Sequence, residues 1–217
     1  MVNKLSPGHK IAPISLYCTY MDDIKARINR INKIIVVGHS PMKSEPWDTE
    51  VVFLFLRKSL EQLVFSWLVA NKDAYADAHK DFATNWKLKN LIKRIAALNE
   101  DFYPKPVLFP EHANSNGVKQ LADVEDGFLT CDELETLYDL SSEVLHTWNP
   151  YRPGAWHLDT GKSIAEWVQR LQRLLDHHYI RLLDGSVWLV QMVHPVDGKT
   201  HAFLAAPAPG GVTDLAT

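Results

Sequence analysis

The sequence has little of what would commit it to a secreted, membrane-embedded or disordered class. Its only cysteines are Cys18 and Cys131. Two thiols so far apart argue against a disulfide-stapled secreted domain. No apolar run approaches the ~20 residues of a membrane span. The first residues lack the basic-then-apolar order of a signal segment, so the expected setting is the cytoplasm, with no membrane partner. Neither charge sign dominates: 23 Lys+Arg stand against 26 Asp+Glu, a net −3, and no partner is dictated by charge. There is no Gly-rich phosphate loop, no HExxH and no repeat. What is present is globular: 217 residues, 46% hydrophobic, with 7 Trp, 7 Tyr and 8 Phe. Disorder is incompatible with that aromatic content, and the length suffices for a sizeable core.

Periodicity divides the chain into a flexible arm (1–14), a helical bundle (15–184), a two-stranded β-hairpin (185–207) and a disordered tail (208–217). The fold class expected is mainly α. A first helix over about 15–37 carries Ile24, Ile28, Ile31 and Ile35 on one side. A second, from about Ser44 with Pro46 in its first turn to Ala70 or Asn71, is apolar around most of its girth. Only Lys58, Ser59, Gln62 and Ser66 form a polar face, which predicts a central helix touching several neighbours. A weak helix is expected over 74–83 and a clear one over 86–98. The prolines and glycine between Asn99 and Thr130 argue for a long irregular segment there. Thr130 with Glu133 has capping-box spacing and opens a helix to about His146. A last helix is read over 163–183, with His178 and Leu182 on its inner stripe. Then the period drops to two, and Asp197-Gly198 marks a hairpin turn between strands 187–193 and 201–206.

Candidate chemistry starts with Arg57, which falls inside an apolar stripe four residues before Glu61. A guanidinium there must be paired or line a polar cavity, so the pair reads either as a structural tie or as an anion clamp. Asp139, Ser142, Glu143 and His146 cluster on one helix. A histidine beside carboxylates suits general acid–base work, and the plainer reading is a His capping the helix end. No glycine-bracketed elbow makes Ser142 a nucleophile. Lys87, Lys89, Lys93, Arg94 and Glu61 are candidates for RNA or partner contacts. The basic segment 80–105 and the acidic segment 119–146 read first as two faces attracting each other. His177-His178 would point apart on a helix, and His194 and His201 flank the hairpin turn. No metal site and no cofactor are expected.

The stretches FLFLRKSLEQLVFSW and LYDLSSEVLHTWNPY resemble, in layout over about 47–183, bacterial HEPN-like helical proteins. That resemblance implies a dimerising four- or five-helix bundle. It also implies a role in a toxin–antitoxin or antiphage system, with RNA or a protein of the same operon as partner. Active members are metal-independent ribonucleases with an arginine and a histidine about five to seven positions apart near a helix end. His146 matches the histidine, with Glu143 beside it, but no arginine stands between Lys119 and His146. Arg57 would have to supply that charge from another helix. The other reading is a non-catalytic adaptor whose central helix and hairpin build oligomer contacts.

Overall fold

The computed structural model of the protein describes residues 12–38, 47–72, 75, 87–109, 121–147, 151 and 159–205. Within them the chain is mainly helical with a small antiparallel sheet. The helices are α1 (Pro13–Gly38), α2 (Asp48–Ala70), α3 (Leu88–Leu98), α4 (Cys131–Leu145) and α5 (Ile164–Leu175). The strands are β1 (Lys105–Leu108), β2 (Ala122–Asp123), β3 (His177–Arg181), β4 (Val187–Gln191) and β5 (His201–Ala205). None of the described helices is long and apolar enough to cross a membrane.

The bundle is organised around α2. Tyr17, Met21, Ile24, Ile28 and Ile31, spaced at helical intervals on α1, are all buried, as are Val52, Phe53, Leu56, Leu60, Leu63, Val64 and Trp67 of α2. One stripe therefore meets another, and α2 also packs on α3 and α4. The girdle of apolar residues read from α2 thus has a physical cause: three neighbours desolvate it. Its polar face is narrower than expected. Ser59 and Ser66 are buried, and their hydroxyls donate back to the carbonyls of Phe55 (2.8 Å) and Leu63 (2.6 Å). That local bonding lets a serine enter the core without orphaning its hydroxyl. Gln62 stays polar and donates to Asp23 of α1 at 3.0 Å. The helix starts at Asp48, later than expected, with Asp48 and Glu50 in its first turn. Pro46, the 74–83 helix except Tyr75, and the tail lie outside the described residues.

The capping box at α4 is present in full: Thr130 Oγ1 accepts from the Glu133 N–H at 3.3 Å, and Glu133 returns the bond to the Thr130 N–H at 3.2 Å. Glu133 also takes two bonds from Arg170 of α5, at 3.0 and 2.7 Å. One carboxylate thus closes a helix end and ties two helices.

Two expectations change. The last helix ends at Leu175, and residues 177–181, read as its final turns, form β3. The segment 99–130 is not irregular throughout, since β1 and β2 form within it. The terminal hairpin is consequently the outer part of a five-stranded antiparallel sheet, ordered β2-β1-β3-β4-β5. The residues explain the switch. Along His177–Arg181 burial alternates, with His178 and Ile180 inward. They pair across the ladder with Val190 and Trp188, which are also buried. A continuous helix would have carried Ile180 away from Trp188.

Candidate functional site

Among the described residues, two places bear on the expected acid–base and anion-binding chemistry. The first is the α2–α4 contact, which holds Arg57. Its guanidinium donates to Glu61 Oε1 (3.2 Å), Ser142 Oγ (3.0 Å) and the Tyr138 hydroxyl (3.0 Å), and lies 4.8 Å from the centre of the Tyr138 ring. Glu61 is held in addition by Lys58 at 3.0 Å. Every edge of the Arg57 fork therefore has a partner inside the chain, and a carboxylate neutralises it. His146 stands at the C-terminal cap of α4, one turn beyond Ser142, with its N–H donating to the carbonyls of Ser142 and Glu143. Its side chain is exposed, as is that of Glu143. Thus His146 follows Ser142, an Arg57 partner, by one turn, yet Arg57 is committed to holding the two helices together.

The basic and acidic segments touch at Lys89. Lys89 of α3 bonds Asp139 of α4 at 2.5 Å and lies 3.9 Å from Glu135. Of the other RNA or partner candidates, Lys87 at the N-cap of α3 and Lys93 on it are exposed, Arg94 is half-buried, and Glu61 is taken up by Arg57 and Lys58.

The second place was not singled out from the sequence. A cleft of about 360 Å³ opens where α5 runs into β3, lined by Val107, Leu108, Phe109, Val124, Arg173, Asp176 and His177. Arg173 sits in the last turn of α5, and its exposed side chain passes Gly127, where an added Cβ would lie 3.4 Å from its Cδ and Nε. Gly127 has φ +75, so a side chain there would be strained. Among the described residues Arg173 makes no ion pair. His177, four residues on, opens β3 with its ring 5.3 Å from that of Phe109 and tilted by 30°. Burial pulls the His177 pKa down, with Asp176 opposing, so the ring is a neutral base at physiological pH. Burial pushes the Asp176 carboxyl up, against the pull of His177. The cleft offers an aromatic and aliphatic wall, one guanidinium, one neutral imidazole and the Asp176 carboxyl.

This pair was legible in principle as RLLDHH, an arginine followed by two histidines at a helix end. It was hidden because a helix drawn on to Leu183 makes His177 and His178 diverge without purpose. As strand residues they take opposite faces. His177 lines the cleft, while His178 turns into the core.

No family model matches the chain, and no curated protein or solved structure matches it either.

Proposed function

We propose that this protein is a HEPN-like module of a bacterial antiphage defence or toxin–antitoxin system. On this reading it binds RNA in the cleft between α5 and β1 and cleaves it without a metal. The observation that carries the site is the convergence of Arg173 and His177 at a helix end on one open cleft. Among the described residues Arg173 makes no ion pair and lines the cleft, whereas Arg57 is consumed by Glu61, Tyr138 and Ser142. Four positions separate the pair, just short of the spacing that the resemblance implies, and His178, five away, is sealed in the core. The assignment to a defence system follows from the resemblance in layout alone.

The chemistry follows from the groups. Single-stranded RNA is recognised by stacking of splayed bases and by cation contacts to phosphate. Phe109 and His177 supply ring faces, and Arg173 a fork that matches a phosphodiester. Neutral His177 takes the proton of a ribose 2′-hydroxyl. The 2′ oxygen attacks phosphorus, the bond to the 5′ oxygen breaks, and solvent protonates that oxygen. Arg173 stabilises the charge that grows on the phosphoryl oxygens. The products are a 2′,3′-cyclic phosphate and a 5′-hydroxyl. The test is incubation of the purified chain with total RNA in excess chelator. His177→Ala and Arg173→Ala are expected to lose cleavage, and His146→Ala to keep it. Cleavage lost in His146→Ala and retained in His177→Ala would return the site to α4.

A second reading, a non-catalytic adaptor that oligomerises, is favoured by a different observation. Among the described strands β5 has a partner on one side only, and its Phe203 and Leu204 are 46% and 69% exposed. An open strand edge is a template for pairing with a second chain. Failure of cleavage by the wild type, together with a dimer that dissociates on Phe203→Lys substitution, would favour this reading.

A further inference from the structure

The loop between β4 and β5 gathers three metal-ligating side chains that neither proposed function uses. His194 and Asp197 lie in the loop, and His201 begins β5. One donor atom from each falls within 4.8 Å of the other two. Asp197 Oδ2 is 3.1 Å from His201 Nε2, and Asp197 Oδ1 is 3.9 Å from His194 Nδ1. The two imidazoles are stacked, with centroids 4.1 Å apart and planes 15° from parallel. Donors around a tetrahedral zinc stand roughly 3.3 Å apart, given bonds of about 2.0–2.1 Å. The set is therefore close to ligating distance; His194 Nδ1 also accepts from the Val196 N–H at 3.4 Å, a long contact that a bound ion would displace.

The loop is held in this shape by its own backbone bonds and by α1, as well as by the Asp197 side chain. The His194 N–H donates to the Lys199 carbonyl (2.9 Å) and the Gly198 N–H to the His194 carbonyl (2.8 Å). Gly198 takes φ +68, which glycine adopts at no steric cost. Lys25 of α1 donates to the carbonyls of Gly198 (2.7 Å) and Met192 (2.8 Å). Thr200 donates its N–H and hydroxyl to Asp22 Oδ1 at 2.9 and 2.8 Å. The Lys199 N–H fixes Asp197 Oδ1 at 3.0 Å, which leaves Oδ2 toward His201. Lys25 is itself paired with Asp22 at 2.7 Å, so its charge is compensated before it can oppose an incoming cation. The three side chains keep 24–40% of their surface open, which gives an ion an entry path.

We propose that His194, Asp197 and His201 bind one divalent transition-metal ion of the imidazole-preferring class: zinc, cobalt, nickel or copper. Two imidazoles and one carboxylate suit these ions and disfavour magnesium and calcium, which take oxygen donors. Three protein ligands leave the remaining positions to water. The site draws on α1, the β4–β5 loop and β5, so it stands whether or not the cleft binds RNA.

The test is calorimetric titration of the untagged 217-residue chain with zinc chloride, with cobalt chloride absorption as a second readout. One zinc per chain is expected, with cobalt giving visible bands, and excess magnesium should not compete. His194→Ala and His201→Ala should each weaken zinc binding at least about tenfold, and Asp197→Asn, which keeps its shape, should do likewise. His146→Ala and His177→Ala should leave it unchanged. A wild type that takes up no zinc would overturn the proposal. So would zinc binding that is unaltered in both the His194→Ala/His201→Ala double variant and Asp197→Asn.

Discussion

The Tyr17 hydroxyl of α1 meets His178 Nε2 of β3 at 2.8 Å, inside the core and across 161 residues of sequence. The other ring nitrogen, Nδ1, lies 2.9 Å from the Leu175 carbonyl. A carbonyl only accepts, so Nδ1 carries the proton, and Nε2 accepts from Tyr17. Both residues are fully buried. The pair pins the first helix to the sheet and fixes one tautomer.

Burial lowers the His178 pKa from 6.5 to about 4. The folded state thus refuses a proton that the unfolded chain accepts. Stability from this group is full above about 6.5 and is lost as pH falls toward about 4. At about 1.4 kcal/mol per pH unit, the loss amounts to about 3 kcal/mol. Urea unfolding across that window should show the slope, and His178→Gln should flatten it. Tyr17→Phe orphans Nε2 and should cost about 1–3 kcal/mol at neutral pH. Equal slopes in wild type and His178→Gln would contradict this account.

Arg57→Lys tests the tie between α2 and α4. An ammonium cannot reach Glu61, Ser142 and Tyr138 together as the planar fork does. The variant should unfold more easily by about 1 kcal/mol, since the site is partly solvated. Its RNA binding should equal that of the wild type. A loss of RNA binding with unchanged stability would make Arg57 an anion clamp after all.

Thr130→Ala removes the hydroxyl that caps α4 but leaves the Glu133–Arg170 pair. A cost of about 1 kcal/mol in chemical unfolding is expected. Glu133→Ala should cost more, because it also strands Arg170, which it otherwise binds through both oxygens. Equal costs would mean that the α4–α5 tie contributes nothing.

What the sequence made legible were the elements whose signal is local. The α1 stripe, the girth of α2 and the Thr130 capping box each follow from neighbours within a few residues. The sheet was less legible because its evidence is long-range. Lys105 and Pro106 become strand residues by pairing with Tyr179 and His178, over 70 positions away. The same cause hid the cleft: its two halves, β1 and the α5–β3 junction, were read as an irregular segment and a helix interior. Ser59 and Ser66 were placed on a polar face because a serine that bonds its own helix looks polar in sequence and behaves as core. Arg57 was singled out correctly as a charge needing partners, and the partners turned out to be Tyr138 and Ser142 as well as Glu61.

The most direct test of the RNA assignment is fluorescence anisotropy of a labelled single-stranded RNA, titrated with wild type, Arg173→Ala, His177→Ala and Arg57→Lys at several salt concentrations. The account predicts saturable wild-type binding that weakens with salt. Arg173→Ala should bind at least about tenfold more weakly, and lose about 0.7 from the slope of log affinity against log salt, as removal of one phosphate contact requires. His177→Ala should weaken binding through lost stacking, and Arg57→Lys should match the wild type. Wild-type affinity and slope retained in both Arg173→Ala and His177→Ala would contradict the account.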